Sequence, residues 1–177
     1  GDVLFIDEIH RLGRAIEEYL YAAMENFVVD ITLEQGAYAK SVRIPLPRFT
    51  LAGATTREGL LTSPFRARFG IVEKLELYPP EDLEIIVRNS AERLGVPIDA
   101  EGALTIAQCS RGTPRVANRL LRRVRDICQV TGAGTIEKRS AWEGLERLGV
   151  DQHGLGPMDR RIIETLLRAA GGPVGLK

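Results

Sequence analysis

Val3-Leu4-Phe5-Ile6-Asp7-Glu8-Ile9-His10 is the stretch that decides how this chain is read. Four bulky apolar residues end abruptly in two adjacent acids, the pattern of a strand buried on both faces of a parallel sheet. Open sheets of that kind collect their chemistry beyond the carboxyl ends of the strands, where Asp7 and Glu8 emerge. Neighbouring side chains leave a strand on opposite faces, so the two acids can take separate tasks. In a nucleotide hydrolase the first would hold the water shell of Mg²⁺, and the second would orient the water that attacks a γ-phosphate. Read alone, the same two acids could equally end a strand and open a solvated turn.

Working outward, Arg14 to Phe27 carries Ile16, Tyr19, Leu20, Ala23 and Met24 at helical spacing. The β-branched runs Phe27–Leu33 and Ala39–Ile44, on either side of the Gly-containing stretch 34–38, predict a β-hairpin. Pro45 and Pro47 keep its second arm from being a central strand. Phe49–Ala54 reads as a second buried strand and also ends in polar groups, Thr55-Thr56-Arg57. A loop, Ser63 to Gly70, leads to an alternating third strand, Ile71–Leu77. Tyr78-Pro79-Pro80 breaks the composition, and the pattern is helical beyond it. Helices are expected over Glu81–Leu94, Ala100–Cys109, Thr113–Val130 and Ser140–Leu148. After a linker at Gly149-Val150-Asp151, another is expected over Met158–Ala169.

The 177 residues are 44% hydrophobic and 27% charged, with 24 basic and 24 acidic side chains. That balance predicts a globular chain of one or two domains with no global attraction to nucleic acid. No apolar run approaches the roughly 20 residues of a membrane span, so no membrane association is expected. Cys109 and Cys128 suit free thiols in a reducing, cytoplasmic setting, and His10 and His153 make no metal site. Gly1-Asp2 runs straight into a core strand, and Gly171 to Lys177 stops in a turn-like run. Both ends are therefore expected to be truncations.

Several short motifs carry possible chemistry. Thr55, Thr56 and Arg57, at a strand end beside the acidic strand, would set a hydroxyl or guanidinium near a phosphate, although Thr is common in strands anyway. Arg68 lies in Ser63-Pro64-Phe65-Arg66-Ala67-Arg68-Phe69-Gly70 and could reach a neighbouring subunit's nucleotide, with Arg66 the less favoured candidate. The alternative is a solvated arginine pair. Arg111-Gly112-Thr113-Pro114-Arg115 opens a helix, with Thr113 as cap and Pro114 in the first turn. Arg115 there opposes the helix dipole, which a phosphate would offset. Arginines at 111, 115, 119, 122, 123 and 125, without an intervening acid, could otherwise be a solvated basic face. Gly-x-x-x-x-Gly-Lys-[Ser/Thr] is absent, so this chain alone is expected to hydrolyse ATP poorly or not at all.

Taken in order, these pieces resemble an AAA+ ATPase entered at its Walker B strand, Ile6 to His10, followed by a sensor-1 strand, Gly53 to Arg57. The arginine-finger loop Ser63 to Gly70 and the sensor-2 helix opened by Arg111 to Arg115 complete the set. Asp7 to Leu12, Ala23 to Phe27, Arg111 to Asp126 and Gly171 to Leu176 are more closely similar to the RuvB family of Holliday-junction branch-migration motors. The resemblance implies an α/β fold: a partial AAA+ P-loop-type parallel sheet (1–78), a small all-α lid domain (79–150) and the start of a winged-helix domain (151–177). It implies a hexameric ring that drives duplex DNA with ATP and Mg²⁺, loaded at the junction by RuvA through the hairpin Phe27–Ile44. Asp7 and Glu8 become the Walker B pair, with Asp7 holding Mg²⁺ through water. Thr55 or Thr56 becomes sensor 1, Arg68 the finger acting on the adjacent subunit, and Arg115 sensor 2. Tyr78 and Glu25-Asn26-Phe27 correspond to positions near bound nucleotide. The middle position is usually acidic in the family, and here it is Asn26.

Two rivals remain at this stage. A clamp-loader-like ATPase is disfavoured by the hairpin and by the start of a winged helix. A non-catalytic DNA-binding or interaction module draws support from the absent phosphate loop.

Overall fold

The computed structural model describes residues 1–32, 41–169 and 172. The chain divides into two compact units, Gly1–Lys74 and Leu75–Lys177.

In the first unit, β1 (Asp2–Ile6) runs parallel to β4 (Phe49–Gly53), with Asp2 opposite Phe49 and Ile6 opposite Gly53. Two backbone bonds continue the pairing past the strand ends: Ala54 N–H donates to Ile6 O and Ile9 N–H to Ala54 O, both at 2.9 Å. They fold Ile9–Arg11 into a 3-10 turn against β4. A Cβ on Gly53 would stand 2.8 Å from Ile9 Cδ1, so any larger residue there makes the buried Ile9 side chain shift. α1 (Arg14–Asn26) packs Leu20, Tyr21 and Met24 against a small core of Ile9, Leu61 and Phe65. It ends where Phe27 turns left-handed (φ 52°) and starts β2 (Val28–Thr32), antiparallel to β3 (Ser41–Pro45). β2 and β3 place the expected hairpin, and its loop, with residues 33–40, lies outside the described residues. So does the expected terminal turn, apart from Gly172.

Three expectations are corrected in this unit. β1 was expected to be buried on both faces, yet Val3, Leu4 and Phe5 are exposed. Among the described residues its sheet has only two strands, too few to cover either face. Ile71–Leu77 forms no strand, because alternation marks faces but a strand also needs a neighbour, and no described strand lies beside it. The Ser63–Gly70 loop begins with a helical turn, α2 (Ser63–Arg66), which Pro64 favours by its fixed φ in the first turn.

The second unit is a bundle of α3 (Pro80–Arg93), α4 (Ala100–Gln108), α5 (Pro114–Thr131) and α6 (Lys138–Arg147). Leu83, Val87, Ile106, Leu121, Val124 and Leu145 meet at its centre. Asp99 caps α4 by accepting Gly102 N–H at 2.6 Å, and Gly102 sits so close to the Ile136 carbonyl that no side chain fits. Thr113 does not cap α5 as expected. Arg111 and Gly112 are both left-handed (φ 49° and 71°), and the chain curls so that the Thr113 hydroxyl donates to Arg111 O instead, at 3.3 Å.

α7 (Pro157–Arg168) follows through a tightly bonded turn. Asp151 Oδ1 accepts the N–H groups of His153 and Leu155, both at 2.9 Å. Arg160 Nη1 donates to Leu155 O (3.0 Å) and Gly149 O (3.1 Å). Gly154 (φ 74°) presses so closely on the Cys109 carbonyl that a Cβ would clash with it. The bond from Leu155 N–H, with that from His153 and the nearby Arg160, holds the Asp151 carboxyl below its usual range despite partial desolvation. Burial pushes the Cys109 thiol up, and both cysteines are free and buried.

Candidate functional site

The parallel register ends with Ile6 opposite Gly53, so the carboxyl ends of β1 and β4 lie side by side and the residues just beyond them, Asp7-Glu8 and Thr55-Thr56, leave from one edge. Asp7 is exposed, and its Oδ1 accepts the Glu8 N–H at 2.9 Å. Glu8 takes a left-handed conformation (φ 48°, ψ 46°), uncommon for a residue with a side chain. That turn brings its carboxylate to β4, where the Thr56 hydroxyl donates to Oε2 at 3.1 Å. His10 Nδ1 lies 2.7 Å from Thr55 Oγ1 and 3.2 Å from Glu8 Oε2. A carboxylate only accepts, so this geometry calls for a proton on Nδ1, shared between the two oxygens. Thr55 Oγ1 also accepts the Arg57 N–H at 3.0 Å. The result is a polar knot in which Thr55 faces inward to His10 and Thr56 holds Glu8. His10 was not among the expected site residues. Its 45-residue separation from Thr55 hides the contact until the register is known.

A divalent cation fits this knot in one way. Both Glu8 and His10 are committed to side-chain partners, and Asp7 Oδ1 accepts the Glu8 N–H, which leaves Oδ2 of the exposed Asp7 as the available ligand atom. No cluster of three or more metal-ligating side chains occurs among the described residues. One carboxylate with water and phosphate oxygens suits Mg²⁺.

A second group forms around Arg68. Its Nη2 pairs with Glu25 Oε1 at 2.8 Å, its Nη1 donates to Pro64 O at 2.8 Å, and its guanidinium lies 4.3 Å from the centre of the Tyr21 ring. Two expected site residues, 43 positions apart, thus meet. Arg66 instead pairs with Glu58 at 3.3 Å. Asn26 is exposed at the end of α1. The Phe27 ring packs edge-on against Phe49, at the opposite end of β4 from Thr55 and Thr56. The structure therefore does not bring the Phe27 side chain to the acidic pair.

In the second unit, Tyr78 N–H donates to Gly112 O at 2.9 Å, which ties Tyr78 to the loop that opens α5. A Cβ on Gly112 would stand 2.6 Å from Leu77 Cβ, so only glycine allows this approach. Arg115 is exposed in the first turn of α5, with no acid in that turn and no ion pair within its own unit among the described residues. Tyr78 and Arg115 thus share one corner of the bundle.

Residues 1–75 match the family model described as the Holliday junction DNA helicase RuvB P-loop domain, and residues 78–151 match the RuvB AAA lid domain. The chain belongs to the RuvB family. It is 57% identical, over its whole length, to the Holliday junction branch migration complex subunit RuvB of Methanoregula boonei, of which it covers 53%. The RuvB of Myxococcus xanthus is 56% identical over 99% of this chain and 52% of its own. The solved Thermotoga maritima RuvB Holliday junction branch migration motor superposes with a TM-score of 0.82 at 45% identity, covering 99% of this chain and 54% of its own. A point mutant of the same RuvB gives 0.86. The α/β character, a parallel strand pair followed by a helical lid, is that of the family. The chain spans about half the length of the curated RuvB relatives it matches. Among the described residues, no helix is long and apolar enough to cross a membrane.

Proposed function

We propose that this chain is the central part of an ATP-driven DNA motor subunit that migrates Holliday junctions as a cytoplasmic hexameric ring. What carries the reading is the knot at the strand ends, in a chain 57% identical throughout to a branch migration subunit. Asp7 would hold Mg²⁺ through water, and the Mg²⁺ would neutralise charge on the triphosphate. Glu8 orients the attacking water, and its carboxylate is aimed by Thr56 and steadied by His10. Thr56 is the sensor-1 residue, because its exposed hydroxyl already touches Glu8, whereas Thr55 is occupied by His10 and the Arg57 N–H. Arg68 completes the site of the adjacent subunit. Arg115, with no ion pair in its own unit among the described residues, binds ATP phosphate as sensor 2, and Tyr78, tied to the loop that opens α5, is a second nucleotide-binding residue of that unit. Glu25, Asn26 and Phe27 are the nucleotide-binding positions of the first unit.

RuvA docks on the hairpin, where Ile31, Val42 and Ile44 leave apolar surface exposed and Ile31 stands directly opposite Val42. The division into ATPase part (1–78), lid (79–150) and winged-helix start (151–177) belongs to the same reading. Duplex DNA is the substrate of the complete ring.

The test uses the full-length protein with junction DNA. Arg68→Ala is expected to lower ATP turnover by about 10³-fold or more, the usual scale for an arginine finger. In mixed rings the defect should fall on the neighbour of each altered subunit. Unchanged turnover, or a defect confined to the altered subunit, would overturn the finger assignment.

A further inference from the structure

Glu17, Tyr21 and Glu25 are spaced four apart on α1 and form one stripe along the helix. Each meets the segment that carries Arg68. At one end Glu17, only 6% exposed, offers its Oε2 to two hydroxyls, Thr62 at 3.2 Å and Tyr21 at 3.3 Å. The two hydroxyls are themselves 3.0 Å apart. In the middle, the Tyr21 ring lies under the Arg68 guanidinium at 4.3 Å. At the other end Glu25 pairs with Arg68 Nη2.

A buried carboxylate is costly unless its partners satisfy it, and here both partners lead toward one guanidinium. Donation of the Tyr21 hydroxyl to a carboxylate makes the ring more electron-rich and so a better seat for a cation. Thr62 joins the same oxygen from the N-cap position of α2, so the helical turn that leads into Arg68 is fastened to the stripe. Among the described residues the buried Arg68 Nε has no hydrogen-bond partner, so the guanidinium is held through Nη1, Nη2 and its face.

We infer that Glu17, Thr62 and Tyr21 are positioning residues that aim Arg68 for phosphoryl transfer, while Glu25 is the anion Arg68 leaves when it engages a phosphate. The inference rests on the proposed role of Arg68 in the adjacent site. Arg68 exchanges one anionic partner for another while the Tyr21 ring continues to shield it, so little reorganisation accompanies the change.

The experiment measures single-turnover and steady-state ATP hydrolysis by the full-length protein on junction DNA, for Tyr21→Leu, Tyr21→Phe and Glu17→Gln, each alone and with Arg68→Ala. Tyr21→Leu is expected to lower kcat about tenfold, the scale of a partly desolvated cation–π contact. The KM for ATP should stay within about twofold, because an interaction made only in the transition state is lost. Tyr21→Phe keeps the ring and should recover most of the rate. With Arg68→Ala present, none of the three should lower the rate further. The same fold loss without Arg68, or a folded Tyr21→Leu protein with unchanged kcat, overturns the inference. Should Tyr21→Leu fail to fold, Glu17→Gln, of equal size, decides: about threefold loss that vanishes without Arg68 supports it, and unchanged kcat overturns it. If Arg68→Ala is itself silent, the finger reading falls and takes this inference with it. If Arg68→Ala is severe and the stripe variants are silent, only this inference falls.

Discussion

The second unit holds Val87, Ile106, Leu121, Val124 and Leu145 at zero exposure, whereas the first leaves Val3, Leu4 and Phe5 at 67, 44 and 62%. Four amphipathic helices can close a core against one another. Two parallel strands cannot, because each face needs a covering layer. Yet the polar groups of the first unit are as well organised as those of the second: Glu8 has Thr56 and His10, and Arg68 has Glu25, Tyr21 and Pro64. Site geometry in this unit is therefore set by strand register, two backbone bonds beyond the strands and one helical stripe. The stability of its sheet depends on what covers it.

The sharpest test of that contrast is a pair of truncations followed by amide hydrogen exchange, read separately over the two units. Leu121→Ala should lower protection across the bundle by about 2–5 kcal/mol, as for other buried leucines. Phe5→Ala should change protection in the first unit by no more than about 0.5 kcal/mol, as expected for a largely exposed residue. Comparable losses in the two units would break the contrast.

A smaller effect is expected at the turn before α7. Gly154→Ala forces a Cβ toward the Cys109 carbonyl at a φ of 74°, at a cost of about 1–3 kcal/mol. The chain's single tryptophan, Trp142, packs against the bundle core, so its fluorescence reports unfolding of this unit alone. An unchanged denaturation midpoint would mean that the turn can relax.

The smallest effect is in pH dependence. Asp151 is lowered first by the Leu155 N–H, and Asp159 first by the Gly156 N–H. A depressed carboxyl contributes stability that is complete above its unfolded pKa and is lost as pH falls through the folded one. The Trp142 melting temperature should therefore drop below about pH 4, and Asp151→Asn should flatten that drop while leaving the slope near pH 7 unaltered. An identical acid limb in the variant would remove Asp151 from the account.

Helices were legible in the sequence because their periodicity is local: α1 and α3 to α7 begin and end within a few residues of the positions their spacing suggests. Placing Asp7, Glu8, Thr55 and Thr56 at strand ends was legible too, since apolar runs stop there. What the residues do to one another was not. Contact between His10 and Thr55 needs the register, and the pairing of Glu25 with Arg68 needs the path of the intervening hairpin. The burial of Glu17 was not legible, because the four-residue spacing that puts it on one stripe with Tyr21 and Glu25 does not distinguish it from the exposed Glu25. Ile71–Leu77 misled because alternation describes sides without supplying a partner.

The knotted turn at Asp151 has a mechanical consequence. Arg160 is anchored to Gly149 and Leu155, and Arg111 Nη1 reaches Asp159 at 3.3 Å, so the first turn of α7 is stitched at two points to the loops of the bundle. Any rotation of those four helices must carry α7 around with it, as a handle turns with its shaft.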